Sequence, residues 1–93
     1  MAADIPGRAP VSIVDGNALA GMLAGVLAGD PTRVEVVCGH CHARSALAET
    51  VVEREPTSAI VRCRTCTHTL LTLTEEPTAL VIGIAGLQLR FPR

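Results

Sequence analysis

The sequence predicts a small α+β domain that is mainly β, on three observations. One stretch of helical period stands near the N-terminus. After residue 29 the period falls toward two, in short runs rich in Val, Leu, Ile and Thr. Three of those runs open alike, with "DPTRVEVV" at 30, "EPTSAIVR" at 55 and "EPTALVIG" at 76. An acidic residue, Pro and Thr make a turn because Pro fixes φ and lacks a donor, and a strand is expected after each. The spacing of these turns is too irregular for a solenoid.

Residues 1–14 hold two prolines and a glycine without sustained periodicity and read as a tail. A helix is expected over 15–29. Leu19, Met22, Leu23, Val26 and Leu27 fall on one stripe, Asp15 or Asn17 can cap the start, and Gly29 followed by Pro31 can end it. Its opposite face, Ala20, Gly21, Ala24, Gly25 and Ala28, is small and uncharged. That face suits either coverage by the domain itself or close approach of a second copy, a homodimer through Gly21 and Gly25. The remainder, 30–93, is read as one β domain with strands near 33–37, 46–54, 58–62, 69–75 and 79–91, the last broken at Gly83 or Gly86. In "LQLRF" the alternation is expected to bury Leu87, Leu89 and Phe91 while Gln88 and Arg90 face water.

Composition narrows the function classes. The chain has 93 residues, a size at which an apolar core alone gives marginal stability and a staple is expected. A net charge of −1, with Arg as the only strong cation, gives no field toward nucleic acid or an anionic membrane. Phe91 is the sole aromatic, which removes base stacking as a binding mode. The apolar run 18–29 is too short to span a bilayer, and the acidic and amide residues before it do not suit a signal peptide. A cytoplasmic protein with reduced thiols and no membrane association is expected.

The chemistry lies in four cysteines. Cys38-Gly39-His40-Cys41 and Cys63-Arg64-Thr65-Cys66 are separated by 21 residues, close to the spacing of a two-knuckle zinc site. Each pair is expected at a hairpin tip, and two such turns side by side place four thiolates about 2.3 Å from one ion. The expected architecture is therefore a zinc ribbon, two zinc knuckles on an antiparallel sheet, holding one structural Zn2+ through Cys38, Cys41, Cys63 and Cys66. A closed sulfur shell leaves no position for water, so the metal holds the fold and the protein is not an enzyme. No triad or phosphate-cradling loop is present in the sequence.

The alternative is a thiol–disulfide protein or zinc-linked redox sensor in which Cys38 attacks and Cys41 resolves. It lacks the helix that should follow a thioredoxin-like dithiol, because "TVV" at 50–52 favours a strand. His40, His42 and His68 are expected to be exposed knuckle residues or donors to the thiolates. Arg44, Arg62 and Arg64 lie near the site, where they either neutralise the thiolates or form a patch for phosphate or an acidic partner. An interaction adaptor is the functional reading, with a protein partner favoured over nucleic acid by the lack of Lys and aromatics.

The order "DGNALAGMLAGVLAGD", a strand into Cys-x-x-Cys, "VRCRTC", a strand and a terminal "GLQLR" resembles a family of small uncharacterised zinc-ribbon proteins, a domain of unknown function found mostly in actinobacteria. The resemblance runs from Asp15 to Arg90, and Asp15 to Gly21 is its more specific part. It implies the four cysteines as ligands and supplies no activity.

Overall fold

A computed structural model describes residues 11–93. The fold is a six-stranded antiparallel sheet with one short helical segment on its face and a separate two-stranded hairpin beside it. In chain order the strands are β1 (Ser12–Asp15), β2 (Glu35–Val37), β3 (Arg44–Ala46), β4 (Val51–Arg54), β5 (Ser58–Arg62), β6 (Thr69–Glu76), β7 (Ala79–Ile84) and β8 (Leu87–Pro92). The large sheet runs β1-β4-β5-β6-β7-β8, and β2 pairs only with β3.

The N-terminal region departs from expectation twice. Of the tail expected over 1–14, residues 1–10 lie outside the described residues, but Ser12 to Val14 belong to β1, which pairs with β4 from Ser12↔Arg54 to Asp15↔Val51. Val14 thereby lies beside Val52, on the core face. The helix expected over 15–29 is far shorter. Asp15 does cap it, accepting from the Asn17 N–H at 3.0 Å, and Gly16–Leu19 form a 3-10 turn that continues as one α-helical turn, α1 (Ala20–Leu23). Ala24 is extended at ψ 129° and Gly25 sits at φ +80°, so the helix stops there. Two glycines at roughly 1 kcal/mol each, with no side-chain pairs to offset them, leave propagation unfavourable once Leu19, Met22 and Leu23 are buried. Gly21 and Gly25 therefore share no helical face, and the close-approach stripe expected of them is not formed.

Asp30-Pro31-Thr32 forms the expected turn, with the Asp30 carboxylate accepting from the Thr32 N–H at 3.0 Å and hydroxyl at 2.7 Å. The strand expected over 46–54 is split. Leu47–Glu49 is a 3-10 turn, Glu49 accepts the Ala46 N–H at 2.8 Å, and buried Thr50 donates its hydroxyl to the Leu47 carbonyl at 2.7 Å. This kink carries the chain from the hairpin to the large sheet and drops Leu47 into the core.

The core lies between the helical segments and one sheet face: Leu19, Met22, Leu23 and Leu47 pack on Val52, Ala59, Val61, Leu73, Leu80 and Ile82. The run 79–91 breaks at Ala85-Gly86 and passes through Gly83 unbroken. The alternation in "LQLRF" is present, yet only Phe91 is half-buried, while Leu87 and Leu89 are 55% and 38% exposed. The helical residues cluster with β4 to β7 and leave Leu87 and Leu89 of β8 outside, while the Arg93 guanidinium donates to the Met22 carbonyl at 2.6 Å.

Candidate metal centre

Both Cys-x-x-Cys turns are built the same way. In the first, between β2 and β3, the Cys38 N–H donates to the Ala43 carbonyl at 2.9 Å and the His42 N–H to the Cys38 carbonyl at 2.9 Å. In the second, between β5 and β6, Cys63 N–H to His68 carbonyl at 2.8 Å and Thr67 N–H to Cys63 carbonyl at 2.9 Å repeat the pattern. The residue after each second cysteine turns into the left-handed region, His42 at φ 67° and Thr67 at φ 65°. That reversal curls the chain and points both sulfurs of a pair inward.

The four Sγ atoms lie within 4.8 Å of one another. Across the two turns Cys38 and Cys66 are 3.7 Å apart and Cys41 and Cys63 3.6 Å, and all four are free thiols. A tetrahedron of sulfurs at 2.3 Å from a zinc ion has edges of about 3.8 Å, so the cluster has the dimensions of such a shell. Donor chemistry agrees: four soft sulfurs suit zinc and exclude the hard oxygen-seeking cations. Cys38 and Cys63 are buried; Cys41 and Cys66 are half-buried.

The leading cysteines are primed as thiolates. Cys38 accepts the N–H groups of Cys41 and His40 at 3.5 and 3.4 Å, which lower its thiol below the usual value. The Cys66 N–H, with help from that of Thr65, overcomes burial and draws Cys63 down to about 6. The trailing cysteines behave oppositely. The Ala43 N–H favours the Cys41 thiolate, but burial and the hydrogen bond with Cys63 outweigh it and push the thiol up. At Cys66 the His68 N–H is likewise outweighed, by burial and by the Cys41, Cys38 and Cys63 sulfurs, and the thiol rises to about 12. Like charges so close cannot all persist without a cation, so the cluster is suited to hold a metal ion.

The three histidines are exposed. His40 and His68 stack across the two turns, ring centroids 4.3 Å apart and planes 3° from parallel, a contact that sequence reasoning missed. Spacing holds no signal for it, since the pairing depends on how the hairpins are set side by side. Arg44 pairs with Glu35 at 3.3 Å, and Arg62 binds Glu53 at 3.0 Å and donates to the Thr69 hydroxyl at 3.0 Å. Neither reaches a sulfur, and the carboxylates come from segments outside the two cysteine turns. Among the described residues, no carboxylate lies within ion-pair distance of Arg64. A groove of about 560 Å³ runs from this site over the sheet, with Val37, His40, His68, Leu70, Ile84 and Ala85 in its wall. No helix among the described residues is long and apolar enough to cross a membrane.

Residues 9–93 match the model of a family described as "Family of unknown function (DUF6510)". The chain belongs to this family. No curated protein and no solved structure matches it. The residues of this DUF6510 chain that make its N-terminal segment distinctive have structural work in the fold: Asp15 caps, and Gly16 lies against the Leu47 carbonyl, where a Cβ would meet that oxygen at 1.6 Å.

Proposed function

We propose that this protein is a non-enzymatic zinc-ribbon module whose single Zn2+, held by Cys38, Cys41, Cys63 and Cys66, is structural. The convergence of four sulfurs from two turns of identical build carries the reading. With zinc bound, all four coordination positions belong to protein, so substrate has no entry to the metal, and the ion joins two hairpins that share no strand. Such binding, on the order of 10–16 kcal/mol, is the staple that a chain of this size needs.

The role of the module is docking. The groove beside the turns is apolar with a histidine rim, and Arg44 and Arg62 are engaged by Glu35 and Glu53. This supports a protein partner over a phosphate backbone, which needs several unengaged cations and here would meet Arg64 alone of the three arginines. The redox alternative has less behind it: Cys38, its attacking thiol, is 2% exposed, and a strand instead of a helix follows Cys41.

Metal analysis tests the reading. Protein purified without chelator is expected to hold one zinc per chain and to lose ordered β structure when the metal is stripped. Protein that stays folded and metal-free, or that reduces insulin in a manner abolished by Cys38→Ser, overturns it.

A further inference from the structure

The β8 edge of the large sheet has a self-complementary pattern, and we propose that it pairs antiparallel with β8 of a second copy about a two-fold axis through Leu89. Backbone parity along β8 favours this pairing, and the cysteine cluster takes no part in it.

Ile84 and Leu87 flank a two-residue turn with Ala85 at φ 44° and Gly86 at φ 85°, the geometry of a type I′ hairpin whose closing bond runs from the Leu87 N–H to the Ile84 carbonyl. At the other end the Arg93 N–H donates to the Thr78 carbonyl at 2.9 Å. Both ends give the same parity. The backbone groups of Leu87, Leu89, Phe91 and Arg93 turn to β7, and those of Gln88 and Arg90 face outward with no strand beyond them among the described residues. Pro92, the next outward position, has no N–H to leave unpaired.

A second β8 centred on Leu89 sets Gln88 against Arg90 of the other copy, and the reverse, so all four outward N–H and carbonyl pairs of these residues close. On the core face Leu87 meets Phe91, and Leu89 meets Leu89, extending the apolar row where it is now exposed at 55% and 38%. On the other face each Arg90 guanidinium, paired with Glu76 of its own chain at 2.5 Å, lies opposite an amide. The register centred on Arg90 sets the two guanidinium groups opposite each other and places Gln88 against the donorless Pro92, so one pairing is selected over its neighbour. The remaining edge strand, β1, has four residues and carries the capping Asp15. A β1-to-β8 contact would be head-to-tail and open-ended.

Sedimentation equilibrium of the full chain with zinc present, over a micromolar-to-millimolar series, is expected to show one chain going to two and no further. Leu89→Lys puts two ammonium groups across the axis at a half-exposed position and is expected to weaken association at least about tenfold. Register is read by mild oxidation: a wide antiparallel pair has Cα atoms about 4.5 Å apart, within disulfide range, so Leu89→Cys cross-links two chains while Gln88→Cys and the wild type do not. A monomer at every concentration, a mass climbing past two chains, or equal cross-linking at 88 and 89 overturns the proposal.

Discussion

Substituting alanine at two glycines five positions apart is expected to move stability in opposite directions. At Gly16 an added Cβ meets the Leu47 carbonyl oxygen at 1.6 Å, its carbon at 2.6 Å and the Thr50 hydroxyl at 2.8 Å, where real Cβ atoms stay beyond 3.0 Å. Two of the three atoms are backbone, and they belong to the 3-10 turn that inserts buried Leu47 into the core. Relief therefore requires the capped turn and the Leu47 turn to separate, which disturbs Leu19 and Leu47 together. That places Gly16→Ala at the upper end of overpacking, about 3 kcal/mol. For a domain this size the loss corresponds to a melting temperature lower by about 15 °C. At Gly21, in α1, nothing lies within 4 Å of the added carbon, and alanine is expected to stabilise by about 0.5 kcal/mol through helix propensity. Thermal and urea unfolding at a fixed zinc concentration measure both, since bound metal shifts the apparent midpoint. A Gly16→Ala loss below about 1 kcal/mol, or an equal loss at Gly21, refutes the close-approach argument.

Three further outcomes follow from the metal centre and its neighbours. Because Cys41 is pushed up and Cys66 lies near 12, both are protonated at neutral pH and must deprotonate to bind metal; calorimetry in buffers of differing ionisation enthalpy should show at least two protons released per zinc, and affinity falling as pH falls. A pH-independent affinity contradicts this. His42→Gly relieves a left-handed residue at φ 67° and is expected to stabilise by about 0.5–1 kcal/mol in the same unfolding assay, with metal stoichiometry unchanged. Thr50→Val removes a fully buried hydroxyl that bonds the Leu47 carbonyl at 2.7 Å and should cost about 1–2 kcal/mol.

What the sequence disclosed and what it concealed divide along physical lines. The meeting of the four sulfurs is legible because Cys-x-x-Cys is a local geometric requirement, and the strands after each acidic-Pro-Thr turn are legible because Pro acts locally, helped at the first by the Asx-type bond of Asp30. The length of the first helix is not. Its apolar stripe continues to Leu27, but whether a Gly-containing helix propagates depends on how much sheet remains to cover it, and Val26 is only half-buried. The split of 46–54 was hidden for a similar reason. "ALAETVV" carries both a helical start and a β-branched end, and the choice to use both is made by Leu47 filling the core and by the Glu49 carboxylate taking the Ala46 N–H. The Leu87 and Leu89 positions were assigned to the correct face by alternation, while their exposure reflects the limited reach of α1, a tertiary property. Gly16 was read only as part of a motif, since a close approach to a carbonyl 31 positions away leaves no periodic trace.

The two cysteine turns stand on sheets with no ladder in common, the first on the β2–β3 ribbon and the second on the β5–β6 rim of the larger sheet. An ion held there would act as a rivet between two plates. Withdrawing it would free the smaller plate first, since the core holds that plate through buried Leu47 and half-buried Val36, so amide exchange after chelation should accelerate at 35–46 before it reaches β6 and β7.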